Sequence, residues 1–275
     1  PQQILAITFT NKAASEMRER VSQLVGPVAE RMWVATFHSV CVRILRQQAQ
    51  LVEGLNTNFT IYDSDDSRRL LTMIAKDLEL DIKKFSARTL ASAISNLKNE
   101  LISPATAVAD AEATHNPFEK VVARVFVEYQ QRLRRANAVD FDDLIGEVVR
   151  IFTQHPQVAE YYRRRFRHVL IDEYQDTNHA QYELISTLVG RPGEDPSELC
   201  VVGDSDQSIY AFRGATIRNI EEFERDFTNA RTILLEQNYR STQTILSAAN
   251  AVISQNENRR PKNLWTALGE GEQII

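Results

Sequence analysis

The residues best suited to chemistry stand at the ends of two apolar runs. His168-Val-Leu-Ile-Asp172-Glu173 is a short buried-strand pattern that closes on two acids, and an open α/β sheet binds its ligands at the carboxyl ends of such strands. An Asp there can hold Mg²⁺ on a nucleotide, usually through water, and an adjacent Glu can polarise the attacking water of a hydrolysis. The same pair would also suit the first turn of a following helix, where negative charge is favoured. A second run, Val201-Val202-Gly203-Asp204, leads into Ser205-Asp206-Gln207-Ser208-Ile209-Tyr210-Ala211-Phe212-Arg213-Gly214. Gln207 has the reach, and both donor and acceptor groups, to sense a terminal phosphate. Tyr210 and Phe212, beside Arg213, could form a platform for unpaired bases, each stack contributing about 1–3 kcal/mol, although either ring alone reads as core.

To bring such loops to one edge, the chain needs a parallel sheet. Residues 4–9 form an apolar run of the buried-strand kind, residues 12–25 carry Ala13, Met17, Val21, Leu24 and Val25 at helical spacing, and residues 32–36 read as another short strand. Similar strand patterns recur at 168–172, 199–203 and 232–235, each followed by a helical pattern. From about residue 64 to 166 the periodicity is helical with no convincing strand. Ser64 and Asp65 are placed to cap a helix containing Leu70, Leu71, Ile74, Ala75 and Leu78, and Ser86 to cap one through Leu90, Ile94, Leu97 and Leu101. A longer helix is predicted over 118–133, after Pro104 and Pro117 have punctuated the region. The expected fold is therefore α/β, a parallel sheet interrupted by an all-helical insertion. The polar stretch 257–271 reads as a linker or the start of another domain.

Composition narrows the class without naming a ligand. A chain of 275 residues that is 43% hydrophobic and 25% charged is neither disordered nor a low-complexity scaffold, and its length suggests about two domains. Its 32 basic and 37 acidic side chains give a net charge of −5, which argues against a basic nucleic-acid coat but not against a local patch. Cys41 and Cys200 are too few and too far apart for a disulfide framework or a zinc knuckle. No apolar run approaches the ~18 residues of a membrane helix and no leader pattern stands at the front, so a cytosolic or nuclear setting is expected. None of the seven lysines (Lys12, Lys76, Lys83, Lys84, Lys98, Lys120 and Lys262) follows a glycine, so a P-loop is missing from this sequence. Arg163, Arg164, Arg165 and Arg167, and Arg132, Arg134 and Arg135, form two basic clusters that read as solvated or ion-paired faces, with phosphate contact as the alternative. His115, His155, His168 and His179 lack ligand-like spacing.

Taken in order, Thr8-Phe9-Thr10-Asn11-Lys12-Ala13-Ala14, Thr36-Phe37-His38-Ser39, Asp140-Phe141-Asp142-Asp143-Leu144, Asp172-Glu173-Tyr174-Gln175-Asp176-Thr177-Asn178, Gly203-Asp204 through Gly214-Ala215, and Gln237-Asn238-Tyr239-Arg240-Ser241 resemble the motifs of the UvrD/PcrA/Rep family of superfamily 1 DNA helicases. The actinobacterial members are the most similar. The resemblance spans nearly the whole chain and implies a partial RecA-like P-loop NTPase sheet. It divides the chain into a first part of motor domain 1A (1–55), a helical insertion 1B (56–138, with a boundary that could extend to 166), the rest of 1A (139–236) and the start of motor domain 2A (237–275).

The same resemblance implies ATP and Mg²⁺ as cofactors. Asp172 would hold Mg²⁺ through water, Glu173 would be the general base, Gln207 the γ-phosphate sensor, Arg240 an arginine finger, and Tyr239 would stack on adenine. On the DNA side it implies that Phe9, Phe141, Tyr210 and Phe212 meet single-strand bases, with Thr10, His38 and Arg213 near the backbone or in the coupling network. Many relatives carry Trp where Phe212 stands, so the stacking surface is expected to be smaller here.

The implied function is 3′ to 5′ translocation on single-stranded DNA and duplex unwinding at single/double-strand junctions. Its setting would be repair or replication in the bacterial cytoplasm, associated with the nucleoid, with other repair or replication proteins as partners and no membrane. The start at Pro1 without Met, together with the missing Gly-Lys, implies an internal piece whose P-loop lies upstream and whose last motifs lie beyond Ile275, inactive as an ATPase by itself. Two other readings are a DNA- or partner-binding module that has lost its ATPase by truncation, and a metal-dependent phosphoesterase built on Asp172, Glu173, Asp204 and Asp206.

Overall fold

In the computed structural model, residues 1–190, 195–208, 223, 225–256 and 262–274 are described. In chain order the elements are β1 (Ile4–Thr8), α1 (Asn11–Val25), β2 (Trp33–Thr36), α2 (Phe37–Gln48), β3 (Thr60–Tyr62), α3 (Ser64–Asp77), α4 (Ala87–Asn99), α5 (Pro104–Thr114), α6 (Pro117–Arg135), β4 (Ala138–Asp140), α7 (Phe141–Gln154), α8 (Pro156–Arg165), β5 (His168–Ile171), α9 (His179–Val189), β6 (Glu198–Val201), β7 (Gln237–Asn238), α10 (Gln243–Ile253) and β8 (Trp265–Thr266). The main sheet runs β2-β1-β5-β6 with every pair parallel, so Ile7 lies opposite both Ala35 and Ile171, and Leu170 opposite both Ala6 and Cys200. All four carboxyl ends therefore point the same way, which is what gathers the loops after Thr8, Thr36, Ile171 and Val201 at one edge. The α/β class and its parallel sheet agree with the expectation from sequence.

One face of this sheet carries Leu5, Ile7, Ala35, Val169 and Ile171 into a core built with α2, α7 and α9. A second cluster, with Leu71, Ile74, Leu90, Ile94, Val125, Phe126 and Leu133, belongs to the helices from α3 to α6. The inserted helices thus have a core of their own, and it meets the first along α4, α6 and α7.

Four local expectations need correction. The strands at β5 and β6 are not buried on both faces: Leu170 in β5 is 41% exposed and Val202, just after β6, 46%, and among the described residues α1 packs on β1 and β2. α1 itself buries only Ala14, and Leu24 and Val25 at its end are exposed. The region read as strandless contains β4, three residues paired in parallel with β3, a segment too short to show an alternating pattern. The run 232–235 is not a strand. Ile233, Leu234 and Leu235 are exposed there, and no sheet edge among the described residues pairs with them. In addition, α3 is capped by Asp63 rather than by Ser64 or Asp65: its carboxylate accepts from the Asp65 and Asp66 N–H groups at 2.8 and 2.9 Å.

Candidate functional site

The segment after β5 is built by alternating backbone bonds to its two neighbours. Asp172 N–H continues the ladder to Ile7 O at 2.9 Å, and Tyr174 N–H crosses to Val202 O at 2.9 Å. Glu173, between them, takes a left-handed backbone conformation with φ 51° and ψ 43°. A non-glycine residue in that region is uncommon, and it persists here because the bonds on both sides hold it. The turn closes with Thr177 Oγ1 donating to Tyr174 O at 2.7 Å. α9 then starts from Asn178, whose side chain accepts from Gln181 N–H while the Gln181 amide accepts from Asn178 N–H, each at 2.9 Å.

The buried Gln175 joins this turn to the next loop. Its Nε2 donates to Glu173 Oε2 at 2.7 Å, and its Oε1 accepts from Asp204 N–H at 3.0 Å. Gly203 fits beneath it only because it has no side chain: a Cβ there would stand 2.7 Å from Gln175 Oε1. Sequence reading did not single out Gln175, and its position between the motif acids was the one available hint.

A cleft of about 860 Å³ opens at this edge, lined by Thr8, Phe9, Thr10, His38, Asp142, Glu173 and Gln207, with Ser95 and Asn99 of α4 on its far wall. Thr10 and Thr36 cap α1 and α2 through Ala13 N–H and Ser39 N–H at 3.1 and 3.2 Å, which places Phe9 and His38 at the cleft mouth. Phe9 is half-buried and meets Phe37 edge-on at 5.4 Å, so it is shared between core and cleft. His38 meets Phe141 edge-on at 5.5 Å, and Phe141 remains 49% exposed. Burial holds the His38 pKa below its ordinary value, favouring the neutral ring. Thr8 Oγ1 is buried without a hydrogen-bond partner among the described residues, a hydroxyl left for water or a ligand.

Behind Phe141 lies a buried ion cluster. Lys98 of α4 reaches Asp140 and Asp143 at 2.7 and 2.8 Å. Burial alone would lower the Lys98 pKa, but the two carboxylates outweigh it and hold the ammonium above its ordinary value. Burial also acts to raise Asp143, yet Lys98 and Arg134 hold it below the usual range, while Asp140 lies above it through burial and the charge of Asp143. Asp142, pointing to the cleft, is pushed up to about 6 by burial and then by the charge of Asp140.

The hydrolytic candidates are only partly assembled. Asp172 is half-buried, and burial together with the charge of Glu173 raises its pKa. It offers one hard oxygen ligand, which fits a Mg²⁺ held mainly by water and phosphate, and no cluster of three or more His, Cys, Asp or Glu among the described residues forms a protein-only metal cage. Gln207 is exposed and donates to Asp204 Oδ2 at 2.7 Å. Asp204 also pairs with Lys262, which reaches Asp206 at 2.9 Å. Burial would raise Asp204, but these hydrogen bonds hold its pKa below the ordinary value.

Tyr239 and Arg240 stand apart from the cleft, after β7. Tyr239 is 78% exposed and donates to Gln237 Oε1 at 2.8 Å. Tyr210, Phe212 and Arg213 lie outside the described residues. All the clustered arginines except Arg135 have protein partners among the described residues: Arg163 bonds Thr187 O, Arg164 pairs with Glu160, Arg165 lies over Trp33, and Arg167 reaches Asp195. Arg132 pairs with Asp77 and Glu128, and Arg134 with Glu147.

A parallel sheet with acids at its carboxyl edge, facing a polar cleft and interrupted by a helical insertion, defines a RecA-type α/β domain. Residues 1–228 match the family model of the UvrD/REP helicase N-terminal domain, and residues 233–275 match that of the UvrD-like helicase C-terminal domain. The chain belongs to the UvrD/REP helicase family.

Over 99% of its length the chain is 68% identical to the ATP-dependent DNA helicase UvrD1 of Mycobacterium tuberculosis and 65% identical to that of Mycobacterium leprae. It is 53% identical over its whole length to the ATP-dependent DNA helicase PcrA of Staphylococcus aureus. The chain spans 36% of the length of each of these relatives.

Proposed function

We propose that this chain is the central part of an ATP-dependent DNA helicase that moves 3′ to 5′ along single-stranded DNA and separates duplex strands at junctions. The observation that carries the reading is the shared cleft: Phe9, Thr10 and His38, the candidate DNA contacts, line the same space as Glu173 and Gln207, the candidate hydrolysis residues. Coupling of the two events needs little intervening structure in such a cleft. Phosphoryl transfer is mostly positioning and charge neutralisation. When bound, Mg²⁺ supplies charge neutralisation at the transferring phosphate. On this chain Asp172 would hold the ion through water, Glu173 would take the proton of the attacking water, Gln207 would contact the terminal phosphate, Arg240 would offset the charge that moves, and Tyr239 would stack on adenine. Phe9, Phe141, Tyr210 and Phe212 would stack on bases, and Thr10, His38 and Arg213 would approach the strand's backbone.

The proposed organisation is motor domain 1A over 1–55 and 139–236, insertion 1B over 56–138, and the start of 2A over 237–275. The separate hydrophobic core of the inserted helices supports it. No helix among the described residues is long and apolar enough to cross a membrane, and a bacterial cytoplasmic setting on the nucleoid, with repair or replication proteins as partners, completes the reading. A phosphoesterase built on Asp172, Glu173, Asp204 and Asp206 is not favoured, since Lys262 already pairs with the last two.

The test is DNA-stimulated ATP hydrolysis by the full-length protein and its Glu173→Gln variant. Single-stranded DNA should stimulate the wild type, and the variant should bind nucleotide but not turn over, because the amide keeps the shape and loses the base. A wild type indifferent to DNA, or a variant with near-normal turnover, sinks the reading.

A further inference from the structure

A buried ammonium group sits where the inserted helices meet the segment that presents Phe141. Lys98, in the last turn of α4, is 6% exposed and contacts Asp140 and Asp143, whose side chains are 10% and 6% exposed. α6 grips the same two acids: Tyr129 Oη donates to Asp140 Oδ2 at 3.0 Å, and Gln130 Nε2 donates to Asp143 Oδ1 at 2.9 Å. Asp140 and Asp143 are also the reciprocal capping pair of α7, joined through Asp143 N–H to Asp140 Oδ1 at 2.9 Å and Asp140 N–H to Asp143 Oδ2 at 3.2 Å. Phe141 is the first residue of that helix, held between the two caps.

The cap itself does not call for this charge. Asn178 and Gln181 form the same reciprocal box at the start of α9 with neutral side chains. Burying three charged groups is costly unless each is paired, and removing one partner leaves the others uncompensated. What the charged version adds is a link across a join, because the cation comes from the insertion and the anions from the sheet side.

We infer that Lys98 is a positioning residue through which the inserted helices fix the first turn of α7, and with it the seating of Phe141 against unpaired bases. The inference rests on the proposed DNA role of Phe141. Lys98 does not line the DNA cleft, and its hydrogen bonds go to the two carboxylates that cap α7.

The experiment is a double-mutant cycle in the full-length protein, using a labelled oligothymidylate at fixed salt and following both affinity and DNA-stimulated ATPase. Phe141→Ala should weaken DNA binding roughly tenfold, the loss of one stack. Lys98→Met should do the same in the wild-type background and add little in the Phe141→Ala background. The DNA concentration giving half-maximal ATPase should rise while turnover at saturating DNA stays within about twofold, a split that general loosening of the fold would not produce.

Losses that simply add, or a Lys98→Met variant with unchanged DNA affinity, overturn the inference while leaving Phe141 at the DNA. A Phe141→Ala variant that binds normally overturns the DNA role of Phe141 and the inference with it. If Lys98→Met does not fold, Lys98→Met combined with Asp140→Asn and Asp143→Asn takes its place in the cycle, since the amides can still cap α7 and no buried charge is left unpaired.

Discussion

Gln175 holds Glu173 by a 2.7 Å hydrogen bond from Nε2 to the carboxylate, and the same amide accepts the Asp204 N–H at 3.0 Å. One buried side chain therefore spans the turn that carries the proposed base and the loop that carries Gln207. Replacing Gln175 by Leu removes a hydrogen bond to a charged group, worth about 1.5–3 kcal/mol, and leaves Glu173 to sample other rotamers. The expected outcome in the full-length protein is a turnover number lower by roughly ten- to a hundredfold with ATP affinity changed only a few-fold, measured by steady-state kinetics and nucleotide titration. An equal loss in both would assign Gln175 to binding or to folding alone.

Gly203→Ala tests the same bridge from the opposite side. The added Cβ would lie 2.7 Å from Gln175 Oε1 and 3.2 Å from the Gln175 and Tyr174 nitrogens, so the amide has to move off Asp204 N–H. Turnover should fall as in Gln175→Leu, and the loss in the double variant should be smaller than the product of the two single losses, because the Gln175–Asp204 contact is broken by both changes. Independent, multiplying losses would show that Gly203 matters for another reason.

Several of these parts were legible in the sequence. β1 and β5 showed as apolar runs closed by polar residues, and the acids after Ile171 announced the ligand edge. Phe9 and Phe141 entered through family resemblance, whereas Tyr210 and Phe212 could be read from their loop as a stacking platform although either ring alone reads as core. Contacts made by folding stayed hidden. Gln175 meets Asp204 across 29 positions, and Lys98 meets Asp140 and Asp143 across 42 and 45, so neither pairing leaves a local pattern. Lys98 sits next to Leu97 on an otherwise ordinary amphipathic helix. The run 232–235 had strand composition, but a strand also needs an edge to pair with, and that is a property of the assembled sheet.

Asp142 gives the site a pH signature. Its pKa in the folded chain lies near 6 against an ordinary 3.8, so the charged form is the disfavoured one. The penalty is absent below the ordinary value, grows as pH rises from there to about 6 and is complete above it, with a size on the order of 3 kcal/mol. Asp142→Asn should therefore raise the melting temperature of the full-length protein at pH 8, and the gain should shrink as the pH is lowered through 6. Because Asp142 lines the cleft, its charge also opposes a DNA phosphate, and single-strand affinity should improve in the variant at pH 8 more than at pH 5. A gain independent of pH would mean that packing, rather than charge, sets the cost.

Arg240 offers the sharpest separation of fold from chemistry. It follows the two-residue strand β7, its backbone N–H is fixed to Asn238 Oδ1 at 2.9 Å, and its exposed guanidinium has no hydrogen bond or ion pair with any described residue. A side chain placed this way does little for stability, so Arg240→Ala should leave the melting temperature nearly unchanged, in keeping with surface substitutions worth within about 0.5 kcal/mol. Its proposed task is to neutralise charge that moves onto the terminal phosphate during transfer, an effect that reaches ~10³-fold or more in rate for arginines supplied to such sites. In the full-length protein the turnover number should therefore fall by roughly that factor, while ATP affinity, read by titration without turnover, changes far less. Equal losses would make Arg240 a ground-state contact, and a normal rate with normal stability would remove it from the reaction.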